Sequence, residues 1–338
     1  MRTKMAARSI AVPSPGHHRG AGVKKIPKNA KESYSGAKMN PVSHIVSKAR
    51  TRGFIGIRRA FWLRSLPKGW PMPDFGILGQ PYAKPLGSSI GVNRRREWVI
   101  LSALLTRPNA FISTNTLIDA MWDDGPPRTA REQVMNCLGS IRRAIASSCA
   151  GDVRLDRVRD GYVFGIEAER IDHVVFSRLC AEAESAKALG RPESSRGLYE
   201  RALVLWRGGV YDGLNVPSFA SHAAALEEQR AIAAEEYFAL SIATGHGSGV
   251  IPHLLRHVGE HPLRERGVAL LMSALHYEGR THDAHAVYAR LVRRLREGLA
   301  VGPGREVRQI LDMILDSTVS VPAPRADELS GAEISTRP

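Results

Sequence analysis

Gln133, Asn136, Arg142 and Arg143 are the side chains of this sequence best suited to recognition chemistry. A carboxamide pairs with adenine through one donor and one acceptor, and a guanidinium pairs bidentately with guanine or grips phosphate. All four fall in a segment from Thr129 to about Ala146. Its apolar residues Val134, Leu138, Ile141 and Ile145 recur at steps of four, three and four, the spacing of a helix with one buried face. Burying that stripe turns Thr129, Glu132, Gln133, Asn136, Gly139, Ser140 and Arg143 outward and places Arg142 on the flank. The competing reading is an ordinary solvated helix face. Cys137 lies towards the core side and reads as packing. Gly139 costs about 1 kcal/mol relative to alanine inside a helix, so either close approach of a partner or simple tolerance explains it.

Other chemistry finds little support. His253, His257 and His261 stand at helical spacing, as do His282 and His285, but no glutamate or cysteine pattern completes a metal set. A solvated or partly packed face is expected, with Pro262 ending the helix before His261 joins. Cys137, Cys149 and Cys180 have neither disulfide-like nor metal-like spacing, which suits a reducing cytoplasm. No glycine-rich phosphate loop ending in Gly-Lys-Ser/Thr occurs, and no cofactor is expected. Arg58-Arg59 precedes a segment holding Arg64, Pro67 and Lys68 rather than an apolar run, so it is no export signal. No apolar run approaches the ~20 residues that span a bilayer, and a cytoplasmic protein without a membrane partner is expected.

The elements around this helix have a recognisable order. Residues 74–90 alternate weakly with Gly and Pro punctuation, as short strands do. A helix follows from about Arg94 to Thr106, with Trp98, Leu101 and Leu105 inward, then another from Ser113, a good N-cap, to Met121. Asp123-Asp124-Gly125-Pro126-Pro127 must be a loop, and Thr129 with Glu132 has the form of a capping box. Val153 to Phe164 reads as a hairpin with Asp160-Gly161 at or near its turn. Three helices and a hairpin in this order lay out a winged helix-turn-helix over 74–166. The third helix would enter the major groove, and Arg157 and Arg159 would set the wing against backbone or minor groove.

Net charge adds less than it promises. The formal charge is +15, but residues 1–73 hold 16 Lys/Arg against one acid, Glu32. The rest is neutral overall, and residues 74–166 carry 12 basic and 9 acidic side chains. Arginine placement, rather than bulk charge, must therefore carry any nucleic-acid argument. Residues 1–71 are too polar and aperiodic to bury a core and are expected to be a disordered basic extension, with Met72 a candidate true start.

From 171 to 316 the sequence is helical throughout, broken at Gly190-Arg191-Pro192, Gly208-Gly209, Gly245-His246-Gly247, Gly279-Arg280 and Gly302-Pro303. Gly190-Arg191 precedes Tyr199 by the interval at which Gly279-Arg280 precedes Tyr288, an echo that suits a helical-repeat array. Residues 317–338 read as a disordered polar tail. The expected fold is mostly α with a small β component: a winged helix of the response-regulator output type, then an all-α, TPR-like domain.

Residues 74–316 resemble the actinobacterial antibiotic regulatory protein (SARP) family, in its short class. The resemblance rests on Phe75-Gly76-Ile77-Leu78-Gly79, Leu117 to Trp122, Pro126 to Arg131 and Ile141 to Ala144. In the second half it rests on Ala202 to Gly208, His261 to Arg266, and Tyr288 through Gly304. It implies a winged helix joined to a bacterial transcriptional activator domain, and an activator of a secondary-metabolite (antibiotic) gene cluster that binds direct repeats near a promoter. The implied partners are double-stranded promoter DNA and RNA polymerase holoenzyme, the protein acting as a homodimer or as tandem copies on DNA. The same resemblance assigns polymerase contact to the loop of Asp123 and Asp124. The residues expected at DNA are Thr129, Gln133, Asn136, Ser140, Arg142, Arg143, Arg157 and Arg159. Members commonly carry His and Arg where this chain has Cys137 and Ser140, which puts the target sequence in question. The alternative is a helical-repeat adaptor with a degenerate winged helix; an enzyme is not expected.

Overall fold

The computed structural model describes residues 72–87, 89–122, 125–148 and 152–319. The expectations for residues 1–71, for Asp123 and Asp124, for Cys149 and for the tail beyond 319 lie outside the described residues.

Two short strands open the fold, β1 (Phe75–Gly76) and β2 (Tyr82–Ala83), paired antiparallel. Helix α1 (Arg95–Thr106) follows. Glu97 caps its start by accepting from the backbone N–H groups of Asn93 (3.3 Å) and Arg94 (3.2 Å). Strand β3 (Phe111–Ser113) leads into α2 (Thr114–Met121), whose N-cap Ser113 accepts from the Thr116 N–H at 3.0 Å. Helix α3 (Ala130–Ser148) is entered through a turn closed by Ala130 N–H on Pro127 O at 2.8 Å. The Thr129 hydroxyl accepts from the Gln133 carboxamide at 3.0 Å, a bond other than those of the expected capping box.

Strands β4 (Arg154–Val158) and β5 (Gly161–Gly165) form the hairpin, and β3 pairs on the other side of β5 to give the order β3-β5-β4. Val158 pairs with Gly161, so the turn residues are Arg159 and Asp160, with Gly161 opening the next strand, as a turn at or near Asp160-Gly161 requires. Arg159 takes the positive φ, 52°. Gly161 is required for a different reason: a Cβ there would lie 2.3 Å from the Ile112 carbonyl oxygen across the sheet.

The second half runs through α4 (Asp172–Ala188), α5 (Pro192–Val204), α6 (Ala220–Ala243), α7 (Gly247–Glu260), α8 (Glu265–Tyr277), α9 (Thr281–Leu299) and α10 (Arg305–Val319). Helices α4 and α5, α5 and α6, α8 and α9, and α8 and α10 pack together, as repeats stacked side by side do. The expected glycine breaks all fall at or between helix ends, with Pro192 and Gly247 the first residues of the helices that follow them. Gly190, Gly245 and Gly279 have φ of 69°, 80° and 72°, and each closes its helix in the same way. Gly190 N–H bonds Lys187 O while Arg191 N–H bonds Ala186 O; Gly245 with His246, and Gly279 with Arg280, repeat both bonds. This is the Schellman cap, which satisfies carbonyls left open at a helix end. The last helix continues to Val319, past the 316 boundary.

The two halves share one continuous core rather than two separate ones. Asp172, 1% exposed, opens α4 and accepts from Ile77 N–H (2.9 Å), Leu78 N–H (3.0 Å) and Arg207 Nη2 (2.9 Å). Residues 207–212 return the contact through the backbone: Arg207 N–H to Leu78 O, Tyr211 N–H to Ile77 O and Asp212 N–H to Gly79 O, at 2.8–3.1 Å. Gly79 sits so close to Arg207 that a Cβ would approach its Cβ to 2.9 Å, at a φ of 139°.

Candidate nucleic-acid interface

Helix α3 lies where a winged helix places its recognition helix. Val134, Leu138, Ile141 and Ile145 are each at most 3% exposed, each burial stabilising by roughly 1.5–3 kcal/mol. They pack against α1, α2 and β4. That leaves Asn136 and Arg143 exposed and Ser140 half-buried on the outer side. The helical half meets α2 through the 3-10 turn Pro217–Phe219, so it braces the helix behind α3.

The predicted contact residues are not equivalent. Asn136 and Arg143 share the solvent face of α3. Thr129 and Gln133 form one chain at its N-terminus, in which Arg96 of α1 donates to the Gln133 oxygen and Gln133 donates to Thr129. Arg96 also lies over the Trp122 ring, 5.7 Å from its centroid. Arg142 is exposed, but its Nε and Nη2 both donate to the Leu155 carbonyl of β4, at 3.0 and 2.7 Å. In the protein alone Arg142 is a strut between helix and wing, and its guanidinium is not held towards a groove. Arg157 and Arg159 are exposed on the hairpin, but Asp152, Asp156 and Asp160 stand among the wing arginines and leave it nearly neutral.

Three features of this surface escaped the sequence reading. Arg96 reaches the N-terminus of α3 from another helix, and the run Arg94-Arg95-Arg96 was its only signal; Arg95 turns the other way, to the Leu214 carbonyl. Arg131 is exposed on the first turn of α3. The wing turn is tied to α2 by Thr114, whose N–H and hydroxyl both donate to Asp160 O. The wing is thus tied both to α2 and, through Arg142 on Leu155, to α3.

Gly139 finds open space where a Cβ would go, so packing within the protein does not require glycine. Cys137 is half-buried, and its thiol is pushed up by burial and by Glu97, which suits an inert packing role. The histidines of α7 take the packed side of the expected solvated or partly packed face. His257 is buried and bonded to Glu235 at 3.1 Å, and its ring lies 4.9 Å from that of His261. Among the described residues no group of three or more His, Cys, Asp or Glu could hold a metal, and no helix is long and apolar enough to cross a membrane.

Comparison with known proteins places both halves. The family described as bacterial transcriptional activator domain matches residues 171–315. Regulatory protein AfsR of Streptomyces griseus is 30% identical over 264 residues, which is 78% of this chain and 26% of that protein. The chain thus spans about a quarter of that relative's length. Regulatory protein DnrI of Streptomyces peucetius is 26% identical over 72% of this chain and 92% of its own length. Among solved structures, Mycobacterium tuberculosis EmbR in complex with a low-affinity phosphopeptide superimposes with a TM-score of 0.69 at 27% identity, covering 73% of this chain and 65% of that one. The mostly helical architecture expected from the sequence is the one this chain shares with that structure.

Proposed function

We propose that the chain is a transcriptional regulator of the SARP family and a sequence-specific DNA-binding activator of a secondary-metabolite gene cluster, a reading supported by the bacterial transcriptional activator domain match over 171–315 and by the similarity to AfsR and DnrI. In this reading α3 enters the major groove. Asn136 reads an adenine, Arg143 reads a guanine or holds phosphate, and Arg131 and Arg96 add phosphate contacts near the helix N-terminus. The hairpin lays Arg157 and Arg159 along the neighbouring backbone. Arg142 fixes the angle between helix and hairpin through Leu155, so its part is positioning. Ser140, half-buried, supplies at most a short polar contact, and Thr129 with Gln133 reaches DNA only if their mutual bond is exchanged.

The observation that carries this reading is the orientation of α3: four buried aliphatics on one side, and Asn136 and Arg143 exposed on the other. The helical half then holds the promoter complex by contact with RNA polymerase holoenzyme, with the loop of Asp123 and Asp124 as a second polymerase contact. Copies sit on direct repeats, as a homodimer or in tandem. The full chain should footprint the intergenic DNA beside its own gene as short protections at a regular repeat and raise transcription by RNA polymerase from that promoter. Weak, sequence-blind binding that vanishes steeply with salt would instead leave a helical-repeat adaptor.

A further inference from the structure

Helix α8 packs on both α7 and α9, and a groove of about 100 Å³ lies over it between the two outer helices. Leu255 and Val258 of α7 form one wall, Val268 and Leu271 of α8 the floor, and Arg290 and Arg294 of α9 the other wall. Among the described residues the groove has no acidic lining, so its charge is of one sign. The space is smaller than the ~150 Å³ that holds benzene, and it suits one aliphatic side chain. Leu255 stands 46% exposed at its edge. Gly259 also lines it, and a Cβ there would meet nothing within 4 Å, so packing within the protein does not call for glycine at this helical position. A larger residue would project into the groove.

The charge on the α9 wall is unspent. Arg290 and Arg294 are exposed, and among the described residues neither guanidinium has a hydrogen-bond or ion-pair partner. Arg293 and Arg296 add to the same surface, and Glu297 is the only acid in 288–299. Arg290 and Arg294 stand one helical turn apart. Two carboxylates at i and i+4 of a helix lying alongside would meet them at that spacing. An apolar floor beside a basic wall is what an amphipathic helix with an acidic flank fits, whereas a phosphate backbone would leave the floor and Leu255 uncovered.

We propose that the groove between α7 and α9 docks an acidic amphipathic helix of a protein partner, one aliphatic side chain over Val268 and Leu271 and carboxylates on Arg290 and Arg294. The surface lies wholly in the helical half, and its occupancy does not depend on DNA binding. The test uses the full chain and a fluorescein-labelled helical probe of about 16 residues, with Leu along one face and Glu beside it, followed by fluorescence anisotropy. The expected result is one saturable site with a dissociation constant on the order of 10 μM at low salt. Arg290→Gln with Arg294→Gln should weaken binding about tenfold, and so should a probe with Gln in place of Glu. Gly259→Leu, which fills the groove, should abolish binding without lowering the melting temperature, since leucine is the better helix former. Thermal melts check that the variants are folded. Absence of saturation at about 1 mM probe would overturn the site, as would binding that survives Gly259→Leu or equal affinity for the Gln probe. Loss of nonspecific duplex DNA affinity in the arginine variant, with probe binding unchanged, would assign the face to nucleic acid instead. Self-association in sedimentation that Gly259→Leu abolishes, with no probe binding, would assign it to a second copy; either result overturns the proposal.

Discussion

Replacing Asp172 with alanine removes a carboxylate that holds three donors at the seam between the winged helix and the helical repeats. Asp172 is 1% exposed and its partner Arg207 is 16% exposed, so the pair is shielded from solvent screening. Removing one partner of such a pair destabilises by about 3–5 kcal/mol, because the remaining charge stays buried. The Ile77 and Leu78 N–H groups also lose their acceptor, at about 1–3 kcal/mol each unless water reaches them. These terms overlap, and Arg207 keeps its bond to Gln80 O at 2.7 Å and its place 4.0 Å from the Tyr82 ring centroid. The expected loss is therefore about 4 kcal/mol, a large share of the roughly 5–15 kcal/mol of a typical domain. Urea unfolding of the full chain, followed by far-ultraviolet circular dichroism, measures it. Pairing the change with Arg207→Leu should recover at least about 1 kcal/mol relative to the sum of the single variants. A loss under about 1 kcal/mol, or strict additivity, would refute the claim that this pair joins the halves.

Gly161→Ala should destabilise by about 2–3 kcal/mol, because its Cβ would press on the Ile112 carbonyl and the Phe111 ring; thermal melts report it. Gly139→Ala should instead stabilise by about 1 kcal/mol in the same melts, since its Cβ enters open space on a helix. Acid should weaken the helical half in two windows. His253 has a folded value of about 4 against 6.5 unfolded, so the unfolded chain binds the extra proton and stability falls as pH drops from 6.5 to 4. Its partial exposure reduces the full linkage value to about 2 kcal/mol, and His253→Gln should flatten that limb in urea titrations at stepped pH. Burial pushes the Glu235 carboxyl up, but bonds from His257 and Arg264 outweigh it and hold it at about 2, so its contribution disappears between pH 4.5 and 2.

Helix α3 was legible because one repeat, Val134 to Ile145, settles both its existence and its outward face. The ends of α4, α6 and α8 were legible because glycine alone takes the positive φ of a Schellman cap without strain. What stayed hidden depends on contacts between distant residues. A helical wheel places Arg142 on a flank but cannot show the Leu155 carbonyl that receives it, because that depends on the wing's approach. The Asp172 seam joins residues 77–79, 172 and 207–212, and a charge at the start of a predicted helix reads as a dipole contact until its partners are placed. The reason for Gly161 has a similar origin. Gly161 resembles a turn glycine in sequence, whereas β3 crossing beside it is what demands the missing side chain. The histidines of α7 were legible by their spacing as a partly packed face, but Glu235 on α6, which draws His257 inward, was not.

The orientation of α3 is tested most directly by methylation interference on the footprinted promoter. N7 of guanine lies in the major groove, and its methylation blocks a protein that reads that groove. The account predicts interference at a guanine in each protected repeat. Arg143→Ala should relieve it there while weakening binding by about 1–3 kcal/mol, with helicity unchanged. Interference that is absent, or that persists unaltered in both Arg143→Ala and Asn136→Ala, would contradict it.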